Sequence, residues 1–302
     1  MNRTKSSINR YTKWGYVCIA PFILFYTVYS LIPLVSTIIN SFFENYANGL
    51  KQVGPTFVGL SNYTKLLSDE SFFVYLKNTL LLWILGFIPQ ILLSLLLAAW
   101  FSDRSLNLKC AGFFKSVIYL PNLIMASAFS SLFLSLFGLT GPINTFLVDI
   151  GALQEPVSFF AHVLSTRLLI VFMNFLMWFG NTTLLLMAGM MSIDSSLSEA
   201  ARVDGATNGD VFFKITLPLI KPILLYVLIT SLIGGMQLFD VPQILTGGTG
   251  NPLRSSMTLI MFLNNYLFSK NYGMGGAIST LMFIVTAILS LVIFYINRRE
   301  TE

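Results

Sequence analysis

The chain has 302 residues, of which 55% are hydrophobic and only 10% charged, and its mean hydropathy is +0.75. A soluble domain carries about 25% charged residues, so the composition excludes an ordinary soluble protein and predicts a polytopic membrane protein. The net charge of +5 does not indicate nucleic-acid binding, because the basic residues lie mostly beside apolar runs and form no stripe with interleaved aromatics.

Six apolar runs are long enough to cross a membrane, which takes about 20 residues each. In chain order they are 16–42, 75–100, 113–137, 168–190, 223–239 and 272–296. Prolines interrupt four positions in these runs, and membrane helices tolerate them because neighbouring helices satisfy the freed backbone groups. They are Pro21, Pro33, Pro89 and Pro121. The pattern predicts an all-α membrane protein with six transmembrane helices.

The distribution of lysine and arginine predicts the orientation of these helices. Most of the 18 basic residues fall on one side, in the N-terminal tail, the second-to-third loop, the fourth-to-fifth loop and the C-terminal end. They are Arg3, Lys5, Arg10, Lys13, Arg104, Lys109, Lys115, Arg202, Lys214, Lys221, Arg298 and Arg299. We therefore expect a cytoplasmic tail at 1–15, a membrane domain at 16–297 with a cytoplasmic loop at 191–222, and a second cytoplasmic tail at 298–302.

The loops on the other side are longer. The loop 44–72 is rich in turn residues, and the loop 138–167 contains further glycines. The loop 240–271 holds a glycine-rich turn at 247–252 and then an apolar run at 257–268, which is too short to span a membrane. We expect that run to form an interfacial helix outside, with Asn264 and Asn265 on its wet side.

The longest charged segment between two apolar runs, 199–218, has the pattern of a helix–turn–helix. Ser196 and Glu199 have the spacing of a capping box, and Gly205 permits a turn. Thr207 can cap a second short helix with Asp210 three residues later. The remaining signals are an apolar face followed by two prolines that stop the pattern. They are Val211, Phe212, Ile215, Pro218 and Pro222. Such a knob suits docking of another protein; an ordinary polar loop is the alternative.

The same segment resembles the loop of ABC-importer permeases that touches the ATPase. That pattern is Glu-Ala-Ala, three residues, Gly, nine residues, Ile, one residue, Leu-Pro, and every place in it is filled. The matching residues are Glu199, Ala200, Ala201, Gly205, Ile215, Leu217 and Pro218. The resemblance implies a cytoplasmic loop in a groove of the ATPase, where Glu199 reaches a basic group and Gly205 makes the turn. Asp204, Ala206 and Phe212 are implied coupling residues as well.

Further segments extend the resemblance over nearly the whole chain. They are 56–63, 119–122, 141–144 and 244–248, and they are similar to segments of sugar-importer permeases. The chain thus resembles the first of the two unlike permease subunits of maltose-type carbohydrate ABC importers. The resemblance implies a type I ABC importer permease fold with both termini cytoplasmic, in a bacterial cytoplasmic membrane.

No catalytic constellation accompanies this pattern. The chain has no G-x-x-x-x-G-K-[ST] loop, and the glycine-rich 247–250 lacks its lysine, so we expect no ATP hydrolysis by this chain. His162 is the only histidine, and Cys18 and Cys110 are far apart, so we expect neither a metal cluster nor a disulfide. We expect no cofactor here; ATP and Mg²⁺ are expected in partner ATPase subunits.

Polar side chains within the apolar runs are the best pointers to a substrate path. Asn174, Trp178 and Asn181 share one helical face, and amide–aromatic–amide chemistry suits the hydroxyls and the C–H face of a sugar. Ser231, Gly234 and Gly235 in the fifth run allow close approach. Helix–helix packing is the alternative for both groups. The resemblance implies that a mid-membrane sugar site is lined by Asn174, Met177, Trp178, Asn181, Ser231, Gly234, Gly235 and Leu238.

These observations predict the membrane subunit of an ATP-driven sugar importer. The expected partners are a second, similar permease, two cytoplasmic ATPases, an extracytoplasmic solute-binding protein, the sugar and membrane lipid. An ABC permease for a non-sugar solute is the first alternative. An ion-coupled carrier is the second, although such carriers need ionisable groups within the membrane and the six runs have almost none beyond their ends. An intramembrane enzyme or a passive scaffold is the third.

Overall fold

The computed structural model describes residues 3–103, 106 and 108–299, and side chains from residue 13 to residue 297 within that range. Arg104, residues 300–302 of the predicted C-terminal tail, and the side chains of Arg3, Lys5, Arg10, Arg298 and Arg299 lie outside the described residues. The chain divides into two compact units. The first is Met1–Asp69 with Leu263–Phe283, and the second is Glu70–Phe262 with Ile284–Glu302.

The first unit combines apolar helices with a small hairpin. Its elements are α1 (Arg3–Tyr26), a π-helical turn (Thr27–Leu31), α2 (Ile32–Asn40), β1 (Phe43–Asn48), β2 (Lys51–Phe57) and α3 (Ser61–Leu67). Two further helices begin or continue here, α14 (Leu259–Phe268) and α15 (Tyr272–Arg299). Asn62 is buried and donates from Nδ2 to Ser41 O and Phe43 O, at 2.9 and 3.0 Å, which joins α3 to the start of the hairpin.

The predicted all-α fold also contains a small hairpin, in the loop that was predicted only as turn-rich. Strands β1 and β2 pair antiparallel, with Phe43 opposite Phe57 and an irregularity between Glu44 and Tyr46. Gly49 makes the turn at a φ of +62°. The rings of Phe43 and Phe57 meet edge to face at 5.5 Å. Aromatic cross-strand pairs of this kind stabilise a hairpin, so a loop predicted only as turn-rich is ordered.

The second unit contains the remaining helices. They are α4 (Glu70–Ser102), α5 (Ala111–Leu123), α6 (Ala126–Leu136), α7 (Pro142–Asp149), α8 (Val163–Met191), α9 (Ser195–Val203), α10 (Asn208–Val211), α11 (Leu217–Leu219), α12 (Lys221–Met236) and α13 (Asp240–Leu245). Helix α8 is central and packs on α4, α5, α12 and α13. Its apolar core includes Leu82 of α4 with Ile170 and Met173 of α8.

Polar side chains join α4 to α8 within this apolar core. Gln90 Nε2 donates to Thr182 Oγ1 at 2.8 Å, and Ser94 Oγ donates to Phe179 O at 2.9 Å. Small residues let other backbones approach. A Cβ on Gly180 of α8 would lie 2.2 Å from Ile118 O of α5. Close backbones and interhelical hydrogen bonds are the usual means by which helices associate in lipid, where the hydrophobic effect between them is weak.

Five described helical segments are long and apolar enough to cross a membrane. They are Lys13–Asn40, Glu70–Ser102, Val163–Met191, Lys221–Leu245 and Tyr272–Asn297. They coincide with the predicted runs 16–42, 75–100, 168–190, 223–239 and 272–296. The run 257–268 forms the ten-residue helix α14, shorter than a span as predicted.

The third predicted run, 113–137, is not one continuous helix. Helices α5 and α6 meet at an angle of 90°, and only when the bent pair counts as one span does the number reach six. The chain leaves the helix at Ile124 and Met125, which are extended. Just before this break, Asn122 Nδ2 donates to Met177 O of α8 at 3.0 Å. This contact with α8, together with the proline at 121, sets the position of the bend.

Candidate functional site

The loop between α8 and α12 begins with a capped helix. Asp194 is the N-cap of α9, and its Oδ1 accepts from Ser196 N at 3.0 Å. That hydrogen bond holds the pKa of Asp194 below its usual value. The predicted capping box of Ser196 with Glu199 is therefore wrong. The cap lies two residues earlier, because the chain resumes the helix almost at once after α8 and the carboxylate of Asp194 reaches the first free amides.

The predicted turn at Gly205 is confirmed. Gly205 has a φ of +87°, and its amide donates to Arg202 O at 3.1 Å while Ala206 N donates to Ala201 O at 2.9 Å. This pair of bonds is the Schellman motif that ends many helices, and it needs a left-handed residue at the position of Gly205. A Cβ there would meet no atom of the described residues within 4 Å. The demand for glycine is therefore one of backbone conformation and not of space.

The second short helix begins at the predicted cap. Thr207 Oγ1 accepts from Asp210 N at 3.2 Å, and Asp210 Oδ2 accepts from Thr207 N at 3.1 Å, which completes a capping box. Lys214 Nζ lies 2.6 Å from Asp210 Oδ1. The lysine first, and then the Thr207 hydroxyl and amide, hold the pKa of Asp210 far below its usual value.

The two prolines of this loop do not stop the helical pattern as predicted. Helix α10 continues through a π-helical turn, Phe212–Thr216, into α11, and Pro218 lies in the first turn of α11. Pro222 lies in the first turn of α12. Proline fits the first turn of a helix because its missing amide has no partner there. Pro222 therefore helps to open α12, whereas Pro218 follows the π-helical turn within a continuous helical stretch.

The predicted coupling residues divide by exposure into two groups. The exposed ones are Glu199, Ala200, Asp204, Gly205 and Pro218, and the half-buried ones are Ala201, Ala206, Phe212, Ile215 and Leu217. Val211 is buried and anchors α10. Two large apolar side chains outside the predicted set are strongly exposed, Val203 at 87% and Phe213 at 66%. The loop thus presents a surface that is both apolar and charged. In the sequence, the exposed apolar part could have been found only from two large apolar residues within a charged segment.

A cleft of about 550 Å³ lies behind this surface, between the loop and the adjoining ends of α4 and α8. Trp100, Met190 and Phe212 are among the apolar residues of its wall. Arg202 Nη2 lies 3.7 Å from Asp103 Oδ2 across it. Among the described residues, an ion pair over this cleft therefore links α9 to the residue that follows α4.

The predicted substrate residues of α8 lie on a partly open face. Asn174 is half-buried and close to Gly86 of α4, where an added Cβ would lie 3.9 Å from Asn174 Nδ2. Trp178 is 46% exposed and Asn181 is exposed as well. Met177 is buried in the apolar core, and its carbonyl accepts the Asn122 hydrogen bond. Asn174, Trp178 and Asn181 are thus partly or fully exposed on this face, whereas Met177 packs in the core.

The predicted residues on and after α12 have different surroundings. Ser231 Oγ accepts from Trp83 Nε1 of α4 at 3.0 Å. The Trp83 ring also fills the space beside Gly235, where a Cβ would lie 2.2 Å from Trp83 Cδ1. In the described part of the chain, no atom lies within 4 Å of a Cβ on Gly234. Leu238 is buried in the core. The structure thus adds Trp83 to the residues around Ser231 and Gly235. In the sequence, Trp83 is marked only by being a tryptophan in an apolar run, three residues before Gly86.

Comparison with known proteins places this geometry in context. The family described as "Binding-protein-dependent transport system inner membrane component" matches residues 90–301. The lactose transport system permease protein LacF of Rhizobium radiobacter is 31% identical, over 98% of this chain and 98% of its own length. The trehalose/maltose transport system permease protein MalF of Thermococcus litoralis is 30% identical, over 98% and 97%.

Another relative is the arabinooligosaccharides transport system permease protein AraP of Bacillus subtilis, 31% identical over 92% of this chain and 86% of its own. A similar solved structure is that of a bacterial ABC transporter involved in the import of the acidic polysaccharide alginate. Its matched chain is 22% identical with a TM-score of 0.80, and both chains are covered completely. The fold is therefore that of a type I ABC importer permease, as the sequence predicted.

Proposed function

Since this chain belongs to the binding-protein-dependent transport system inner membrane component family, we propose that it is a membrane-spanning permease subunit of an ATP-driven sugar importer. The proposed cargo is a sugar, most simply an oligosaccharide, because relatives that match over nearly their whole length are named for lactose, trehalose/maltose and arabinooligosaccharides. In this proposal a second, homologous permease completes the translocation path, and an extracytoplasmic solute-binding protein delivers the sugar.

The observation that carries the proposal is the loop 191–222. It holds two capped helices, a Schellman turn at Gly205 and an exposed apolar surface at Val203 and Phe213. In the proposed mechanism this surface docks on one of two cytoplasmic ATPases, with Glu199 and Asp204 contributing charge. ATP binding then favours the ATPase arrangement that suits one conformation of the helices, and the loop couples the two equilibria.

The proposed sugar path runs along the open face of α8. Asn174 and Asn181 are placed to hydrogen-bond hydroxyls, and the exposed indole of Trp178 offers a flat apolar surface to a sugar ring. Gly234 leaves room on α12, whereas Ser231, Gly235 and Leu238 act indirectly, by positioning Trp83 and the core. We assign Met177 the same supporting role.

The proposal includes a location and a division of labour. The chain is a multi-pass protein of the bacterial cytoplasmic membrane, with tails at 1–15 and 298–302 and the loop 191–222 in the cytoplasm. This orientation follows from the basic residues of those segments. The chain itself binds no cofactor and catalyses no reaction, and ATP and Mg²⁺ belong to the partner ATPase subunits.

The test is sugar uptake by a deletion strain that carries variants at Gly205. Gly205→Val forces a β-branched residue into a left-handed conformation, whereas Gly205→Asn places a residue that tolerates it. We expect Gly205→Val to reduce uptake of labelled oligosaccharide by at least about tenfold, because a strained left-handed valine would distort the turn. Gly205→Asn should retain most of the uptake. Membrane levels of both variants should match the parent.

The variant Trp178→Ala distinguishes a role in sugar binding from a role in coupling to the ATPase. We expect it to weaken transport of the sugar while the assembled complex still hydrolyses ATP. Equal uptake by Gly205→Val and the parent would end the coupling assignment, and full uptake of a non-sugar solute with no uptake of any sugar would end the assignment of the cargo.

A further inference from the structure

The loop 250–258, between α13 and α14, is held by side chains of two membrane helices. Arg167, in the first turns of α8, donates from Nε and Nη2 to Ser255 O at 3.0 and 2.8 Å. The same Nη2 donates to Asn78 Oδ1 of α4 at 2.7 Å. Asn78 Nδ2 in turn donates to Arg254 O at 3.1 Å and Met257 O at 3.2 Å. We call this arrangement the carbonyl clamp.

The clamp binds backbone and not side chains. The Asn78 amide and the Arg167 guanidinium together donate to three carbonyls of the loop, those of residues 254, 255 and 257. Any change in the path of the loop therefore breaks several hydrogen bonds together. Beside it, Thr79 Oγ1 accepts from Leu259 N at 2.9 Å. Ser256 N donates to Gly250 O at 3.0 Å and closes the loop on itself.

The loop that is held in this way has a strained backbone. Leu253 and Arg254 are consecutive non-glycine residues with φ of +56° and +55°. Residues in this region persist only where the surrounding structure over-determines their conformation, and they concentrate at functional sites. Leu253 gains no burial in return, since its side chain is 88% exposed. The contacts of Arg167 and Asn78 supply the missing constraint.

The charge of Arg167 is a second sign of function. Within the described part of the chain, the partners of the half-buried Arg167 guanidinium are a carbonyl and an amide oxygen, not a carboxylate. Partial burial of a guanidinium costs desolvation free energy, which the hydrogen bonds to Ser255 O and Asn78 Oδ1 offset. Arginine suits this position because its planar guanidinium donates two hydrogen bonds to Ser255 O and one to Asn78 Oδ1.

We propose that Arg167 and Asn78 are positioning residues that hold the loop 250–258 in the one conformation from which transport proceeds. Their chemistry is recognition of the loop's own carbonyls, and the loop opens when the clamp is lost. The transport part of this inference rests on the proposed function, whereas the clamp itself does not.

A cysteine introduced at a buried position of the loop would report its opening through reaction with a thiol reagent. Ser256 is 0% exposed, and its Oγ has no hydrogen-bond partner in the described part of the chain, so Ser256→Cys costs no hydrogen bond there. The background carries Cys18→Ser and Cys110→Ser, because both native cysteines are exposed. The purified protein in lipid nanodiscs is reacted with a maleimide, and the rate of labelling at position 256 is measured with and without Arg167→Met.

We expect slow labelling in the parent and labelling at least about tenfold faster with Arg167→Met, because charge-assisted hydrogen bonds that close the loop are lost. Arg167→Lys keeps the charge but not the fork and should fall between the two. Asn78→Leu should resemble Arg167→Met. Arg254→Met is the matched control, since it removes a cation of the same loop whose side chain is exposed and donates a hydrogen bond outside the clamp, to Tyr75 Oη at 3.3 Å.

Two outcomes overturn the inference. Equal labelling rates for the parent, Arg167→Met and Asn78→Leu would remove the clamp. If Arg167→Met and Asn78→Leu are labelled faster at position 256 but sugar uptake is unchanged, the clamp holds the loop but has no role in transport. If Arg167→Met does not fold, as judged by gel filtration, Arg167→Lys and Asn78→Leu decide the same question. Absence of uptake by the parent would instead count against the proposed function and leave the labelling result standing.

Discussion

The two adjacent glycines of α12 show how differently one residue type can be used. Gly235 accommodates the indole of Trp83, which also donates to Ser231, while Gly234 faces open space. From sequence alone both glycines were assigned to a substrate path. The structure supports an open position at Gly234 and a packing position at Gly235.

This difference predicts opposite effects of the same small substitution. Gly235→Ala should displace the Trp83 ring and lower the free energy of unfolding by about 1–3 kcal/mol, as overpacking does. Gly234→Ala should raise it by up to about 1 kcal/mol, because alanine favours a helix and meets no neighbour. Thermal unfolding of the detergent-purified variants measures both. A stability of Gly235→Ala equal to that of Gly234→Ala would contradict the contact with Trp83.

At the scale of the element, the short helix α10 depends on its cap. The continuous helical stretch 208–219, of which α10 is the first part, is too short to be stable on propensity alone. The Thr207–Asp210 capping box and the Lys214 ion pair therefore define where it begins. Because these contacts favour the charged form of Asp210, they hold its pKa low.

The lowered pKa of Asp210 predicts the pH dependence of α10. A carboxyl with a lowered pKa in the folded state contributes stability above its ordinary pKa of about 3.9, and loses it as the pH falls below that value towards the lowered pKa. Corrected amide exchange at 207–211 should therefore be constant from about pH 7 to 5 and rise at lower pH.

The matched variants are Asp210→Asn and, as a control at an exposed acid elsewhere, Glu155→Gln. Asp210→Asn should speed exchange about fivefold at neutral pH, the usual effect of losing a cap, and remove the dependence on pH. Glu155→Gln should leave α10 unchanged. Exchange that is already fast in the parent at pH 7 would show that the cap does not hold the helix.

At the scale of the whole molecule, the chain is a multi-pass membrane protein, and the sides of the membrane remain a prediction from its basic residues. Two exposed side chains of nearly equal exposure test it, Val203 at 87% in the loop 191–222 and Leu253 at 88% in the loop 250–258. In a background without Cys18 and Cys110, we expect a membrane-impermeant maleimide to label Leu253→Cys in intact cells, with the outer envelope permeabilised if present.

Val203→Cys should be labelled only in inside-out vesicles, because the positive-inside rule places its loop in the cytoplasm. Similar exposure makes the two positions comparable, so a difference in labelling reports sidedness. Labelling of Val203→Cys in intact cells would reverse the proposed orientation and with it the contact with cytoplasmic ATPases.

Periodicity and composition were sufficient to locate five membrane segments and the approximate extent of a sixth, because lipid demands about 20 apolar residues whatever the neighbours are. The same local logic identified the turn at Gly205 and the cap at Thr207, since both depend on atoms within four residues. The motif around Glu199 also identified the family, because its spacing is a property of the chain itself.

Contacts between distant residues decided the rest. The bend between α5 and α6 depends on Asn122 reaching Met177, and the occupied space beside Gly235 depends on Trp83. The clamp joins Arg167 to Asn78, 89 positions away, and to Ser255, 88 positions away. None of these has a local signature, because a hydrogen bond or a packed ring depends on where two helices meet, and only the folded chain brings those surfaces together.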